Sequence, residues 1–309
     1  MAMKLSIVTT VYKSEHFLKG FVTQSLEAVE KAEIDDFELV FVIDGITDQS
    51  IALLLNEKEN TPQIKIVELT RNFGHHFAIT AGLEQASGEW VFLIDCDLEV
   101  SPLVLVDFLN KQKEADADVV YGIQKVRKGS ALERVLGGFF WKIFNLLSET
   151  PLPPNLMTER LMNRAYVQSL LSLGDKNLFL GGMMHWVGYN QIPLEIEKTP
   201  RSGKSSYSLL KRLSLLENAI TSFSEYPLKL IFRLGLIIVS ISLSTIVYFT
   251  LRKLLFPQSI LLGYTSLMIA VILSLGIVTS SIGVVGIYIA RVFKQTQDRP
   301  KYIIKKVFD

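Results

Sequence analysis

Up to residue 124 the chain alternates two hydrophobic patterns. Short apolar runs recur: KLSIVTTVY at 4–12, FELVFVID at 37–44, QIKIVEL at 63–69, EWVFLIDCD at 89–97 and ADVVYGIQ at 117–124. They read as five buried strands, because a strand covered on both faces loses its polar alternation. The stretches between them, 15–32, 50–60, 76–86 and 102–115, carry apolar residues at helical spacing. Strand and helix in alternation predict a parallel sheet with helices on both faces.

The pattern changes near the C-terminus. Residues 234–251 carry no charge and, after Arg252 and Lys253, neither do residues 254–290. Pro257 and Gly263 put the start of the second helix near Ser266. A helix crossing a bilayer core needs about 20 apolar residues, and both segments qualify. Their Gly, Ser and Thr content suits packing in lipid. The other reading is two buried helices of a soluble domain; the lack of a polar face on either weighs against it. Lys229 and Arg233 precede the first segment, and Arg291, Lys294, Arg299, Lys301, Lys305 and Lys306 follow the second. The connection offers only Arg252 and Lys253, so the positive-inside rule puts both outer flanks and the N-terminal region in the cytoplasm.

Composition narrows the partners. Among 309 residues the net charge is +1, which gives no support for a nucleic-acid partner. The mean hydropathy of +0.31 is high for a soluble chain, and the C-terminal segments account for it. The single cysteine, Cys96, excludes an intramolecular disulfide. MAMKLSIVTTVY lacks the layout of a cleaved signal peptide.

Ligands of open α/β sheets bind at the carboxyl ends of the strands. Those ends here are Thr10-Val11-Tyr12, Asp44-Gly45 and Asp95-Cys96-Asp97. No Gly-rich phosphate loop follows the first strand, which argues against a nicotinamide enzyme or a P-loop NTPase. Along an extended chain Asp95 and Asp97 project to one side and Cys96 to the other. Two carboxylates so placed suit a hard cation such as Mg²⁺ that shares phosphate oxygens with a ligand. The plainer reading is a turn begun by Asp. His75 and His76, about 100° apart on a helix, read as near-site or helix-surface residues rather than a zinc pair.

With these residues placed, the sequence resembles glycosyltransferase family 2, inverting enzymes of the GT-A fold. Within it the chain looks like the membrane-anchored polyprenyl-phosphate glycosyltransferases, the group of dolichyl-phosphate mannose synthase and bactoprenol glucosyl transferases. The matching pieces are SIVTTVYKSE, VIDGITD, LTRNFGHHFAITAGL, FLIDCDLEV, RLMNR, ITSFSEYPLKL and RPKY. The resemblance implies a GT-A catalytic domain with a Rossmann-like, parallel-rich sheet over 1–200. Juxtamembrane amphipathic helices (201–232), a two-helix transmembrane hairpin (233–291) and a cytoplasmic tail (292–309) would follow. It implies sugar transfer from a nucleotide sugar, a UDP-hexose in the nearest group, to undecaprenyl or another polyprenyl phosphate at a bacterial cytoplasmic membrane, for modification of cell-envelope glycans.

Residue roles follow the motifs. Thr10, Tyr12 and Glu15 would line the nucleoside pocket, Asp44 would accept from the base, and Arg71 would lie near the donor. Asp95 would contact sugar or ribose. Asp97, with Asp95 beside it, would hold Mg²⁺ or Mn²⁺ on the diphosphate and serve catalysis. Lys125, Arg127, Lys128, Arg134 and Arg160 would receive the acceptor phosphate. Tetramers occur in the group, so a homo-oligomer is a further expectation of the resemblance.

The chain departs from the group in three places. Gln124 stands where an arginine is common. Met157, Thr158 and Glu159 precede Arg160 where relatives carry an acidic, glycine-containing motif. Ser206 replaces a basic residue before Tyr207, while Lys204 remains. A hydroxyl-acceptor glycosyltransferase of the same fold, or a membrane scaffold with a degenerate transferase domain, therefore stays open at this point.

Overall fold

The computed structural model describes residues 4–45, 48–124, 152–176, 179–198, 226–255 and 264–309. All five expected strands form: β1 (Leu5–Val11), β2 (Phe37–Ile43), β3 (Ile64–Leu69), β4 (Trp90–Leu93) and β5 (Val119–Gln124). Three more join them: β6 (Leu156–Asn163), β7 (Gln191–Ile196) and β8 (Ile304–Phe308). The eight make one sheet in the order β7-β5-β6-β4-β1-β2-β3-β8.

The expected parallel sheet is present from β3 through β4, and β5 pairs with β7 in parallel. It becomes mixed because β6 runs antiparallel to both β4 and β5, and β8 runs antiparallel to β3. Within residues 292–309, expected as a tail, Ile304–Phe308 thus pair with the sheet. Tyr302 donates its hydroxyl to Glu84, and Lys305 meets Glu68 at 2.6 Å.

The helices are α1 (Glu15–Lys31), α2 (Ser50–Asn60), α3 (His75–Gln85), α4 (Leu105–Ala115), α5 (Arg164–Ser172), α6 (Leu180–Trp186), α7 (Tyr226–Leu255) and α8 (Tyr264–Thr296). Alternate strand residues feed two cores. On one face Ile7, Phe41 and Phe92 pack with Phe21 of α1, Leu54 of α2 and Phe108 of α4. On the other, Val8, Val42 and Leu93 pack with Ile79 of α3, Tyr166 of α5 and Met184 of α6. The rings of Phe92 and Phe108 meet edge-on, with centroids 5.2 Å apart. Truncating such a buried ring costs about 3–5 kcal/mol. A Cβ at Gly82 would lie 2.5 Å from Val8 Cγ1, so glycine lets α3 seat directly on β1.

α7 and α8 occupy the two uncharged C-terminal segments and extend beyond them. With 30 and 33 residues they are about 45 and 50 Å long. Within α8, Ser274–Thr296 has the length and apolarity of a membrane span, with a mean hydropathy of 1.7. Large apolar side chains stay exposed along both helices, Phe232, Ile241 and Val247 on α7 and Leu267, Leu275 and Ile282 on α8. The foot of α8 is tied to the sheet domain: Gln295 accepts the Lys176 amide at 3.0 Å, and Lys176 Nζ meets Asp298 at 3.0 Å.

Candidate active site

The flush ends of β1 and β2 build the first wall. Val11 pairs with Ile43, and the Asp44 amide then donates to Val11 O at 3.1 Å. Asp44 is almost fully buried, 3% exposed. Its Oδ1 accepts the Phe73 amide at 2.7 Å and its Oδ2 the Gly74 amide at 3.0 Å. The carboxylate expected to meet a nucleobase therefore holds the Arg71–Gly74 loop with both oxygens. Gly45 makes that approach feasible: its φ is +64°, and a Cβ there would stand 1.9 Å from the Arg71 carbonyl carbon. Arg71 lies over the Phe73 ring at 4.0 Å and donates to Asn72 O at 3.1 Å.

Tyr12, next after β1, is 49% exposed, and Lys13 Nζ lies 5.4 Å from its ring centre. Glu15 opens α1 and accepts the Gln49 amide at 3.2 Å, joining the starts of α1 and α2. Thr10, Tyr12, Glu15, Asp44 and Arg71 thus gather where β1 and β2 end.

β4 stops at Leu93, earlier than its apolar run suggests, and the carboxylates lie on the segment beyond it. Cys96 is buried, with its Sγ 3.2 Å from Thr10 O, whereas Asp95 and Asp97 are only partly buried. Burial pushes the Cys96 thiol up to about 11, which makes it unreactive. Asp97 Oδ1 accepts the Glu99 amide at 3.1 Å across Leu98, whose φ is +58°. Burial, with Asp97 adding to it, pushes the Asp95 carboxyl above the usual carboxylate range, against the pull of His75 and Lys198.

Lys198, which no motif singles out, and Glu159, noted in the sequence as a departure before Arg160, complete the acidic edge. Lys198, past the end of β7, meets Glu99 Oε2 at 3.3 Å. Burial opposes its charge, yet Glu159, Glu99 and Asp95 hold its pKa above the usual lysine value. Glu159 in β6 is 1% exposed; burial first, then Asp95, push its carboxyl up to about 7. Asp95, Asp97, Glu99 and Glu159 therefore act on a common region in which Lys198 supplies a cation. Among the described residues no group of three or more His, Cys, Asp and Glu has metal-binding geometry. A cation bound by one or two carboxylates and a ligand's diphosphate needs no third protein group, so Asp95 and Asp97 fit that kind of site.

Beside this edge opens a cleft of about 370 Å³. Its walls include Ile79, Leu156, Phe179 and Met184, and its polar lining includes His75 and Arg160. Arg160 is 1% exposed; among the described residues its Nε has no hydrogen-bond partner, and Glu159 acts on it only through charge, with no ion pair to it. Its guanidinium lies 5.6 Å from the centre of the Tyr121 ring. Burial lowers its pKa, and the neighbouring Tyr166 opposes that shift. Lys125, Arg127, Lys128 and Arg134 lie outside the described residues. Of the expected acceptor groups, Arg160 is thus the one whose surroundings are described.

The carboxylates beyond β4 and the cleft beside them lie at the carboxyl edge of the sheet. The chain belongs to glycosyl transferase family 2, whose pattern it matches over residues 6–172. It is 35% identical to a glycosyltransferase of Mycobacterium tuberculosis, over 99% of this chain and 89% of that protein. It is 31% identical to the prophage bactoprenol glucosyl transferase homolog of Escherichia coli K12, over 99% of each. Against the bactoprenol glucosyl transferase of Shigella phage SfII the identity is 32%, over 98% of each. Among solved structures, the mannosyltransferase PcManGT from Pyrobaculum calidifontis in complex with GDP-Man and Mn²⁺ aligns at 15% identity and a TM-score of 0.45, covering 97% of this chain and 89% of that one.

Proposed function

We propose that this glycosyltransferase moves a hexose from a UDP-sugar to a polyprenyl phosphate at the cytoplasmic face of a bacterial membrane, with inversion at the anomeric carbon. The observation that carries this reading is Arg160: a buried cation, without an ion-pair partner among the described residues, lines a cleft with apolar walls. A buried charge is costly until an anion meets it. A lipid phosphate brings the anion together with the apolar chain. The names of the full-length relatives, bactoprenol glucosyl transferases, support the same acceptor.

In this reading Thr10, Tyr12, Glu15 and Arg71 bind the donor at the ends of β1 and β2, while Asp44 holds the Arg71 loop in place. Asp97 and Asp95 would hold Mg²⁺ or Mn²⁺, which would neutralise the departing diphosphate. An oxygen of the acceptor phosphate attacks the anomeric carbon from the face opposite the leaving group. The new bond joins that carbon to the lipid phosphate, the bond to the β-phosphate breaks, and the nucleoside diphosphate leaves. A phosphate is already ionised at neutral pH, so no general base is required. α7 and α8 would form a transmembrane hairpin that keeps the cleft near the lipid acceptor, their exposed apolar side chains facing the hydrocarbon.

Glu159 favours a second reading, a hydroxyl acceptor with this carboxylate as base, because its pKa of about 7 suits proton abstraction. Against it, Glu159 is 1% exposed and does not line the cleft, whereas its neighbours Thr158 and Arg160 do. Incubating the detergent-solubilised protein with a panel of nucleotide sugars and undecaprenyl phosphate, followed by mass spectrometry of the lipid, tests the proposal. A product one hexose heavier than the acceptor is expected; transfer only to hydroxyl acceptors would overturn it.

A further inference from the structure

The cleft and the donor edge meet at one side chain. His75 begins α3, its Nδ1 lies 3.1 Å from Thr10 Oγ1, and its Nε2 lies 3.7 Å from Asp95 Oδ1. Thr10 is the penultimate residue of β1 and Asp95 lies just beyond β4, two strands paired side by side in the sheet. We infer that His75 is a positioning residue whose imidazole ties Thr10 to Asp95 and so sets the orientation of the Asp95 carboxylate between donor and acceptor. The inference rests on the transfer reading above for its substrates.

The chemistry of the ring suits this task. A neutral imidazole offers one donor and one acceptor nitrogen. When the Thr10 hydroxyl donates to Nδ1, the proton sits on Nε2 and faces Asp95; this tautomer is assigned from the network. At 3.7 Å the second contact is longer than a hydrogen bond and points the Nε2–H dipole toward the carboxylate. A small rotation of Asp95 would shorten it.

The backbone allows His75 little choice of position. The two amides immediately before it, on Phe73 and Gly74, are held by the buried Asp44 carboxylate. Gly74, with a φ of +102°, turns the chain into the helix. A histidine fixed in this way holds its ring between the Thr10 hydroxyl and the Asp95 carboxylate. The sequence reads His75 and His76 as near-site or helix-surface residues; His75 is distinguished as the first residue of a helix entered from a carboxyl-edge loop.

The test uses the full chain in detergent micelles, with His75→Ala, His75→Gln and His75→Asn. Glutamine returns a nitrogen near the Nε2 position, toward Asp95. Asparagine returns polar atoms near the Nδ1 position, toward Thr10. Two readouts are taken. One is calorimetric affinity in Mn²⁺ for UDP or GDP, whichever binds the unaltered protein more tightly. The other is kcat and KM for UDP-glucose and undecaprenyl phosphate. Expected is a loss of about tenfold in donor kcat/KM for His75→Ala, about 1.4 kcal/mol, with the lipid KM within about twofold. His75→Gln should recover most of the loss and His75→Asn little. Unchanged donor kcat/KM in His75→Ala, or a glutamine variant no better than alanine, would overturn the inference. If the unaltered protein binds nucleotide but transfers nothing to the lipid, the acceptor reading fails and calorimetry alone decides. A His75→Ala variant about tenfold weaker than the His75→Gln variant then supports the positioning role, and equal affinities overturn it.

Discussion

The carboxylate of Asp44 accepts the backbone amide of Phe73 at 2.7 Å, from a strand end onto a loop nearly 30 residues further along the chain. A charged acceptor on a buried amide stabilises by about 1.5–3 kcal/mol. Asp44→Asn keeps the shape but removes the charge and turns an NH₂ group toward one of two amides. It should lower unfolding free energy by about that amount in denaturant titrations. If Asp44 served the nucleobase alone, stability would stay unchanged while nucleotide affinity fell.

Asp97→Asn tests the proposed metal ligand. The side chain is partly exposed and its one described bond, to the Glu99 amide, can be kept by the asparagine oxygen. The fold should survive, and transfer should drop on the order of a hundredfold or more, since a lost cation leaves the departing diphosphate charge unshielded. Wild-type turnover that still requires Mg²⁺ or Mn²⁺ would remove Asp97 from the site.

Glu159 gives a pH signature. Its carboxyl sits at about 7 in the fold against an ordinary 4.5, so the folded state holds the proton more tightly. Stability should therefore fall as pH rises from about 4.5 through 7, by up to about 3 kcal/mol. Glu159→Gln should be more stable than the unaltered protein at pH 8, with the difference gone at pH 4. It should also keep a large fraction of its turnover, because a phosphate acceptor needs no base. Arg127→Ala, by contrast, should raise the KM for polyprenyl phosphate by about one to two decades, as expected for a lost charge-assisted bond. Abolished turnover in Glu159→Gln, with Arg127→Ala unaffected, would favour a hydroxyl acceptor.

The hairpin proposal predicts sidedness. Cysteines introduced singly at Ser259 and Lys305 should react with impermeant thiol reagents from opposite sides of sealed vesicles. Cys96 is buried and contributes little background. Reaction of both from the same side would sink the hairpin.

The parts of this fold that the sequence made legible are those where hydrophobicity and chain order agree. β1 to β5 are runs buried on both faces, and the burial of Cys96 against the partly exposed Asp95 and Asp97 matches the expected alternation although the strand ends at Leu93. β6 hid because Glu159 and Arg160 interrupt its apolar run, although both end up buried. β7 carries Pro193, which suits a strand paired on one side only. β8 has two lysines in five residues and finds its partner, β3, more than 230 residues earlier in the chain, as the Lys305–Glu68 contact measures. Local patterns carry no record of such a pairing. Lys198 carries no local signal, and His75 reads in the sequence only as a near-site or helix-surface residue, for a related reason: each gains its meaning from neighbours brought together by the sheet.

β8 also constrains how the protein can be made. The excursion through α7 and α8 leaves the sheet after β7 and re-enters it beside β3, so it is a closed loop in the topological sense. Any bilayer it crosses must be crossed an even number of times, whatever the flanking charges. During synthesis, the strand that covers the β3 edge emerges only after both long helices have left the ribosome. The sheet is therefore completed last, and its completion reports that the helices have been accommodated. A nascent chain halted before Ile304 should leave β3 open to protease, and release of the last six residues should close it.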